Sequence, residues 1–468
     1  MSRTVVRGGL VITAAEETHA DVLIENGRIA ALAAHDSAIA DGWTAGADRV
    51  LDATGKYVIP GGVDAHTHLD FPFGGTFSSD TFESGTRAAA WGGTTTLVDF
   101  AVQTRGQALR AGLDLWHAKA DAQCAIDYAF HMILSDVNDH TLKEMDLLVS
   151  EGVTSFKLFT AYPGVFLSDD GQILRAMQRA AGNGGLVLMH AENGPAIDVL
   201  IQQALAAGHT GPRYHGEVRH PLLEAEATHR TIQLARIAGA PLYVVHVSAE
   251  QAVDEIAQAR HAGLNVFGET CPQYLFLSTD NLAEPDFEGA KYVCSTPLRP
   301  REHHAALWRA LRTNDLQVVS TDHCPFCFRG QKELGRDDFS KIPNGLPGVE
   351  NRMDLLHQSV VEGRIGRRRW IEIACATPAR MFGLYPKKGT LAPGSDADLV
   401  LYDPTAEQTL SARTHHMNVD YSAYEGKRIT GQVVTVLSRG EPVIDAREFT
   451  GRAGHGQYIP RGTCQYLM

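Results

Sequence analysis

Residues 153–190 read VTSFKLFTAYPGVFLSDDGQILRAMQRAAGNGGLVLMH. Two short apolar runs, VTSFKLF and GLVLMH, flank an amphipathic stretch, DDGQILRAMQRAAGNGG, whose closing glycines suit a helix C-cap. The unit is strand–helix–strand, and it recurs on both sides. TTTLVDF (94–100), IDYAFHMIL (126–134), PLYVVHVS (241–248), LNVFGET (264–270) and QVVSTDH (317–323) are further apolar runs, and helix-like segments such as EAEATHRTIQLARIAGA (224–240) lie between them. Strand–helix alternation over about 330 residues predicts an α/β fold with a parallel sheet, and the number of runs suits a (β/α)8 TIM-like barrel with insertions. An open doubly wound sheet is the alternative. Neither G-x-G-x-x-G nor G-x-x-x-x-G-K-[ST] follows an early strand, so nucleotide binding finds no support.

The two ends have a different texture. Residues 1–55 hold β-branched runs separated by turn dipeptides, as in TVVRGGLVI and ADVLIENGRIAAL; residues 387–468 repeat it in GTLAPGSDADLVLYDP and RITGQVVTVLSRGEPVID. Two β-rich ends around residues 56–386 predict one small β-sandwich built from both termini. The last residues, GRAGHGQYIPRGTCQYLM, are expected to form a tail or an arm onto a neighbouring subunit.

Composition excludes several classes. The 468 residues are 44% hydrophobic and 21% charged, unlike a disordered, collagen-like or coiled-coil chain. The net charge is −13, and the one basic cluster, RIGRRR (364–369), reads as a solvated helix start, so no nucleic-acid partner is expected. No apolar run reaches 18 residues and the seven cysteines are scattered, which predicts a cytoplasmic protein with reduced thiols and no membrane partner. Cys324 and Cys327 have C-x-x-C spacing without a second such pair, and a redox role is disfavoured.

The informative residues sit at the ends of the apolar runs. A buried strand is expected to be apolar throughout, and in a barrel the C-terminal strand ends form the active-site face. In YVIPGGVDAHTHLD, His66 and His68 are two apart, so strand alternation points both imidazoles to one side. Lys157 interrupts VTSFKLF, His190 ends GLVLMH, His246 ends PLYVVH and Asp322 ends QVVSTD. A lone strand-end histidine is more often a hydrogen-bonded core residue than a ligand. Six polar side chains at successive strand ends favour a metal site instead. A buried lysine loses its proton readily, and capture of carbon dioxide turns it into a carbamate able to bridge two metals. Neutral imidazole and carboxylate-type oxygen suit Zn2+, with Mn2+ or Co2+ as alternatives.

The motifs GGVDAHTHLDFPFGGT, FKLFTAYPGVFLSDDG, LMHAENG, YVVHVSA, ETCPQYL, CSTPLRP, TDHCPF, NGLPGVE and HHMNVDYSAYEG resemble, in order, the dihydropyrimidinase/D-hydantoinase branch of the amidohydrolase superfamily. The resemblance runs from about residue 8 to at least residue 445 and implies a distorted (β/α)8 barrel with a flanking β-sandwich, a binuclear zinc centre and a homotetramer. It implies that His66, His68 and Asp322 bind one metal, that His190 and His246 bind the other, and that carboxylated Lys157 bridges them. All six positions hold the expected residue type, which disfavours a non-catalytic scaffold of the same fold.

The implied reaction is reversible ring opening of dihydropyrimidines or 5-substituted hydantoins, giving N-carbamoyl amino acids. In it a bridging hydroxide attacks the carbonyl of a small cyclic ureide or imide, Asp322 acts as base and then acid, and Tyr162 stabilises the oxyanion. Ser295 in CSTPLR and Asn344 in PNGLPG match positions that grip the ring. Allantoin hydrolysis is an alternative. Leu69 and Asp70 after His68 depart from the arginine typical of dihydroorotases. Substituent preference is expected in loops 69–77 and 162–168, through Phe71, Phe73, Phe77 and Phe166.

Overall fold

The computed structural model describes residues 2–467. The runs read as apolar strands form one eight-stranded sheet. Its strands are β1 (Gly62–Thr67), β2 (Thr94–Val102), β3 (Asp127–Ile133), β4 (Ser155–Phe159), β5 (Leu186–His190), β6 (Leu242–Val244), β7 (Val266–Thr270) and β8 (Val318–Val319). Neighbours pair in parallel in chain order from β1 to β8. Parallel strands need long crossovers, and helices supply them. The helix predicted after β4 spans Asp170–Asn183: the Asp169 carboxylate caps it by accepting from Gln172 N at 2.8 Å, and left-handed Gly184 (φ 78°) ends it. Residues 224–238 lie in the helix Pro221–Ala238, closed by Gly239 at φ 66°.

Closure of the barrel rests on side chains, because β8 is only two residues long. The buried Asp64 carboxylate of β1 accepts from Thr321 N at 3.1 Å and Thr321 Oγ1 at 2.7 Å. His68 N donates to His323 O at 2.8 Å. Behind this seam the Arg352 guanidinium donates to Val63 O and Val319 O, both at 3.0 Å, so it joins β1 and β8 where no ladder does.

The flanking structure is built on a nine-stranded sheet drawn from both ends of the chain. Arg3–Ile12 pairs with Glu17–Glu25, which pairs with Arg28–Ala34; Leu399–Thr409 pairs with Arg428–Ser438. Tyr57–Pro60 joins the halves, antiparallel to Leu399–Thr409 and parallel to Arg3–Ile12. The turns read from the sequence are made by residues with positive φ, Asn26 (51°) with Gly27 (78°) and Arg439 (47°) with Gly440 (76°), the geometry of tight hairpins. Val6, Val22, Ile24, Val58, Leu399 and Leu401 form part of a separate small core there. Residues 1–55 are not strands throughout, since Ala38–Thr44 is a short helix capped by Ser37.

The C-terminal segment makes extensive contacts within its own chain. It folds back on its own barrel: Tyr128 N donates to Gln457 O at 3.0 Å and Ile459 N to Tyr128 O at 2.8 Å. Buried Arg461 donates to Phe130 O at 2.6 Å and Ser155 Oγ at 2.7 Å. Open main-chain and hydroxyl acceptors on β3 and β4 give it this path, and a motif reading of the tail has no means of seeing them.

Candidate metal centre

His66 lies in β1 and His68 just beyond it; Lys157 is in the middle of β4; His190 ends β5. His246 and Asp322 lie in the turns after β6 and β8. Because the strands are parallel, all six reach one face. They line a single pocket together with Tyr162, Ser295 and Asn344, so the six expected ligands and the three expected ring-binding residues are brought together.

His66, His68 and Asp322 offer nitrogen and oxygen atoms within 4.8 Å of one another. His66 Nε2 and His68 Nε2 lie 3.2 and 3.3 Å from Asp322 Oδ1. On the other side of the pocket His190 Nδ1 is 3.0 Å from His246 Nε2. The Lys157 Nζ lies between the rings of Phe100 and Phe159, 5.0 and 5.2 Å from their centroids. Burial pushes its pKa down to about 8, against the pull of Asp322 and Glu269.

Three buried carboxylates that the sequence reading did not single out hold these groups. Glu269, in β7, is hydrogen-bonded to His66 Nδ1 and accepts from the Tyr243 hydroxyl at 2.9 Å; burial raises its pKa to about 8, against Lys157. Asp99, in β2, accepts from Thr67 Oγ1 at 2.8 Å and Leu69 N at 2.9 Å, and so fixes the residues on either side of His68; burial raises it to about 6. Glu192 meets His190 Nε2 at 2.9 Å and Arg219 Nη1 at 2.8 Å. Burial opposes its charge, but Arg219 and His190 together hold Glu192 below the usual carboxylate range. Each stands in or beside an apolar run, in LNVFGET, TTTLVDF and MHAENG, which is the same signal that marked Lys157.

The donor set fits a metal. Burial, helped by the nearby Lys157 charge, holds the His66, His190 and His246 imidazoles below their ordinary pKa, so the rings stay neutral. His246 Nδ1 is buried with no hydrogen-bond partner, a state that costs about 1–3 kcal/mol unless a ligand satisfies it, and His66 Nε2 has the Asp322 oxygen at 3.2 Å without hydrogen-bond geometry. Two other buried histidines of the barrel are already satisfied: His323 bonds Asp80 at 3.0 Å and Gly348 N at 3.1 Å, and His131 bonds Ser155 and Ala65 O.

The rest of the pocket is organic. Asn344 Nδ2 donates to Ser295 Oγ at 3.0 Å and lies 3.5 Å from the Tyr162 hydroxyl. Burial raises Tyr162 to about 12, so its hydroxyl keeps its proton at neutral pH. Tyr162, His246 and Asp322 all have left-handed backbones, at φ 63°, 41° and 52°. Such conformations cost of order 1–3 kcal/mol each and persist where surrounding structure enforces them. Phe71, Phe73 and Phe166 line the mouth, the last two stacked within 5° of parallel, whereas Phe77 points away and is 61% exposed. Cys324 also lines the pocket, and all seven cysteines are free.

A sequence profile of the amidohydrolase family matches residues 57–443. The chain is 78% identical over 466 residues to a D-hydantoinase of Streptomyces coelicolor, covering 100% of this chain and 99% of that one. It is 50% identical over 465 residues to a D-hydantoinase of Geobacillus stearothermophilus, covering 99% and 97%. The crystal structure of a dihydropyrimidinase from Brevibacillus agri superimposes with a TM-score of 0.96 at 50% identity, over 98% of this chain and 99% of that one. A polar face of this composition on this barrel, matched over nearly its whole length, places the chain in the amidohydrolase family, in its dihydropyrimidinase/hydantoinase branch, as a hydrolase of cyclic amides.

Proposed function

We propose that the protein opens the ring of 5-substituted hydantoins or dihydropyrimidines reversibly, giving N-carbamoyl amino acids, with residues 56–386 as the catalytic unit. The observation that carries this reading is one pocket holding His66, His68, Lys157, His190, His246 and Asp322 opposite Tyr162, Ser295 and Asn344. His66, His68 and Asp322 would hold one Zn2+, His190 and His246 a second, and Lys157, carboxylated by carbon dioxide, would reach both. When bound, such a pair lowers the pKa of a water and polarises a carbonyl oxygen.

The protein's own groups do the rest. The protonated Tyr162 hydroxyl donates to the carbonyl oxygen as negative charge develops there. Asp322 takes the proton of the attacking water and delivers it to the departing ring nitrogen as the carbon–nitrogen bond breaks. Ser295 and Asn344 hold the ureide edge of the ring. The face made by Phe71, Phe73 and Phe166 excludes water and receives an apolar 5-substituent; the D-hydantoinase relatives support the hydantoin side of this substrate range. The lack of any helix long and apolar enough to cross a membrane, among the described residues, accords with a cytoplasmic setting, and a homotetramer is the assembly proposed.

The test is a rate comparison on dihydrouracil, 5-phenylhydantoin and allantoin, with and without a chelator, alongside metal analysis. Turnover of the first two, lost on chelation and restored by Zn2+, with two metals per subunit, is expected. A folded protein with no bound metal and no ring opening would sink the reading.

A further inference from the structure

Lys332 has no exposed surface, and its ammonium carries three donors that all end on main-chain carbonyls. They are Val293 O at 2.8 Å, Pro343 O at 2.6 Å and Gly345 O at 2.8 Å. A buried charge is costly, and here three main-chain carbonyls that a methionine would leave without this donor offset the cost. What distinguishes these acceptors is their place in the chain. Pro343 and Gly345 flank Asn344, and Val293 lies two residues before Ser295. Gly345 N also donates to Val293 O at 3.0 Å, which sews the two segments together directly. The second segment is pressed against the end of the barrel: a Cβ on Gly345 would meet Cys324 O at 2.1 Å. The first is fixed from behind by His215 Nε2 on Cys294 O at 2.8 Å. The two segments meet at their side chains in the 3.0 Å bond from Asn344 to Ser295.

We propose that Lys332 is a positioning residue: its ammonium gathers segments 293–295 and 343–345 so that Ser295 and Asn344 face the ring as one rigid surface. This rests on the ring-binding role given above to those two residues. Lys332 touches no substrate and acts only through them.

The test is a double-mutant cycle of K332M with N344A, read as kcat, KM and kcat/KM on 5-phenylhydantoin, with metal content measured in each protein. K332M alone is expected to raise KM at least tenfold with a smaller change in kcat and unchanged metal content. In the N344A background the same substitution is expected to cost several-fold less in kcat/KM than in the wild type, the remainder passing through Ser295. Equal losses in both backgrounds, or wild-type KM in K332M, would overturn the proposal. K332Q, which keeps amide donors, serves in the same cycle if K332M does not accumulate. Hydrogen exchange separates this idea from the activity itself: K332M is expected to speed exchange at 293–296 and 343–346 whether or not hydantoins are turned over, and unchanged exchange there would count against the clamp.

Discussion

Tyr162 carries a bulky aromatic side chain in left-handed backbone at φ 63°, and its hydroxyl lies part-buried beside Asn344. The strain is held by the turn after β4, whose Tyr162 carbonyl accepts from the amides of Val165, Phe166 and Leu167. A hydroxyl fixed this way, with its pKa raised to about 12 by burial, is a donor that needs no rearrangement when charge develops opposite it. Tyr162→Phe is therefore expected to lower kcat about 10²–10³-fold, the usual cost of one such donor, with KM within a fewfold and metal content unchanged. Steady-state kinetics check this, and a kcat near wild type would remove Tyr162 from the chemistry. The candidate ligands were legible because each is a polar residue within or at the end of an apolar run. Glu269 and Asp99 break the same rule but escaped notice, since a single acid in a short run reads equally as a turn residue. Lys332 left no trace at all: its partners are carbonyls, which have no sequence signature.

At the level of elements, the barrel was legible from its repeating apolar runs, while its closure was not. The run QVVSTDH yields a strand of two residues, because the chain turns at left-handed Asp322 to enter the pocket. The hydrogen bonds a longer β8 would have made to β1 pass instead to Thr321, Asp64 and Arg352. Arg352 is fully buried and also donates to Ala374 O at 3.2 Å and Thr94 Oγ1 at 3.2 Å, so it ties four elements at one point. In the sequence it is one arginine near the start of a helix, with nothing to mark its neighbours. Removing one partner of a buried ionic network leaves the others uncompensated, which typically costs about 3–5 kcal/mol. Arg352→Met is expected to destabilise the protein by that amount, read as a lowered urea midpoint. Because β1 carries His66 and leads into His68, the metal content of the variant is expected to fall as well. A wild-type midpoint would mean that the Asp64–Thr321 and His68–His323 hydrogen bonds close the barrel without Arg352.

Across the whole molecule, the terminal sheet and the barrel are joined on the side away from the pocket. The buried Lys388 Nζ donates to Asp127 at 2.6 Å, Asp398 at 2.8 Å and Asp396 at 3.0 Å, and Arg439 also reaches Asp127. Asp127 is the first residue of β3, so this cluster sits at the N-terminal face of the barrel, where residues serve stability rather than chemistry. The C-terminal segment crosses the same face, with Gln457 N donating to Asp127 Oδ1 at 2.8 Å. The folding of both chain ends into one sheet was legible from their shared texture, but its docking on the barrel depends on aspartates that read from sequence as ordinary loop residues. Lys388→Met would leave three buried carboxylates with one fewer cation, and a loss of about 3–5 kcal/mol is expected from an uncompensated buried network. Because the pocket lies at the opposite end of the strands, kcat/KM below the unfolding range is expected to stay within about twofold of wild type, as for distant sites that share no partner. Parallel urea unfolding and steady-state assays test both halves of this expectation. Lost activity in a variant of wild-type stability would show instead that the docked sheet acts on the metal centre through the barrel.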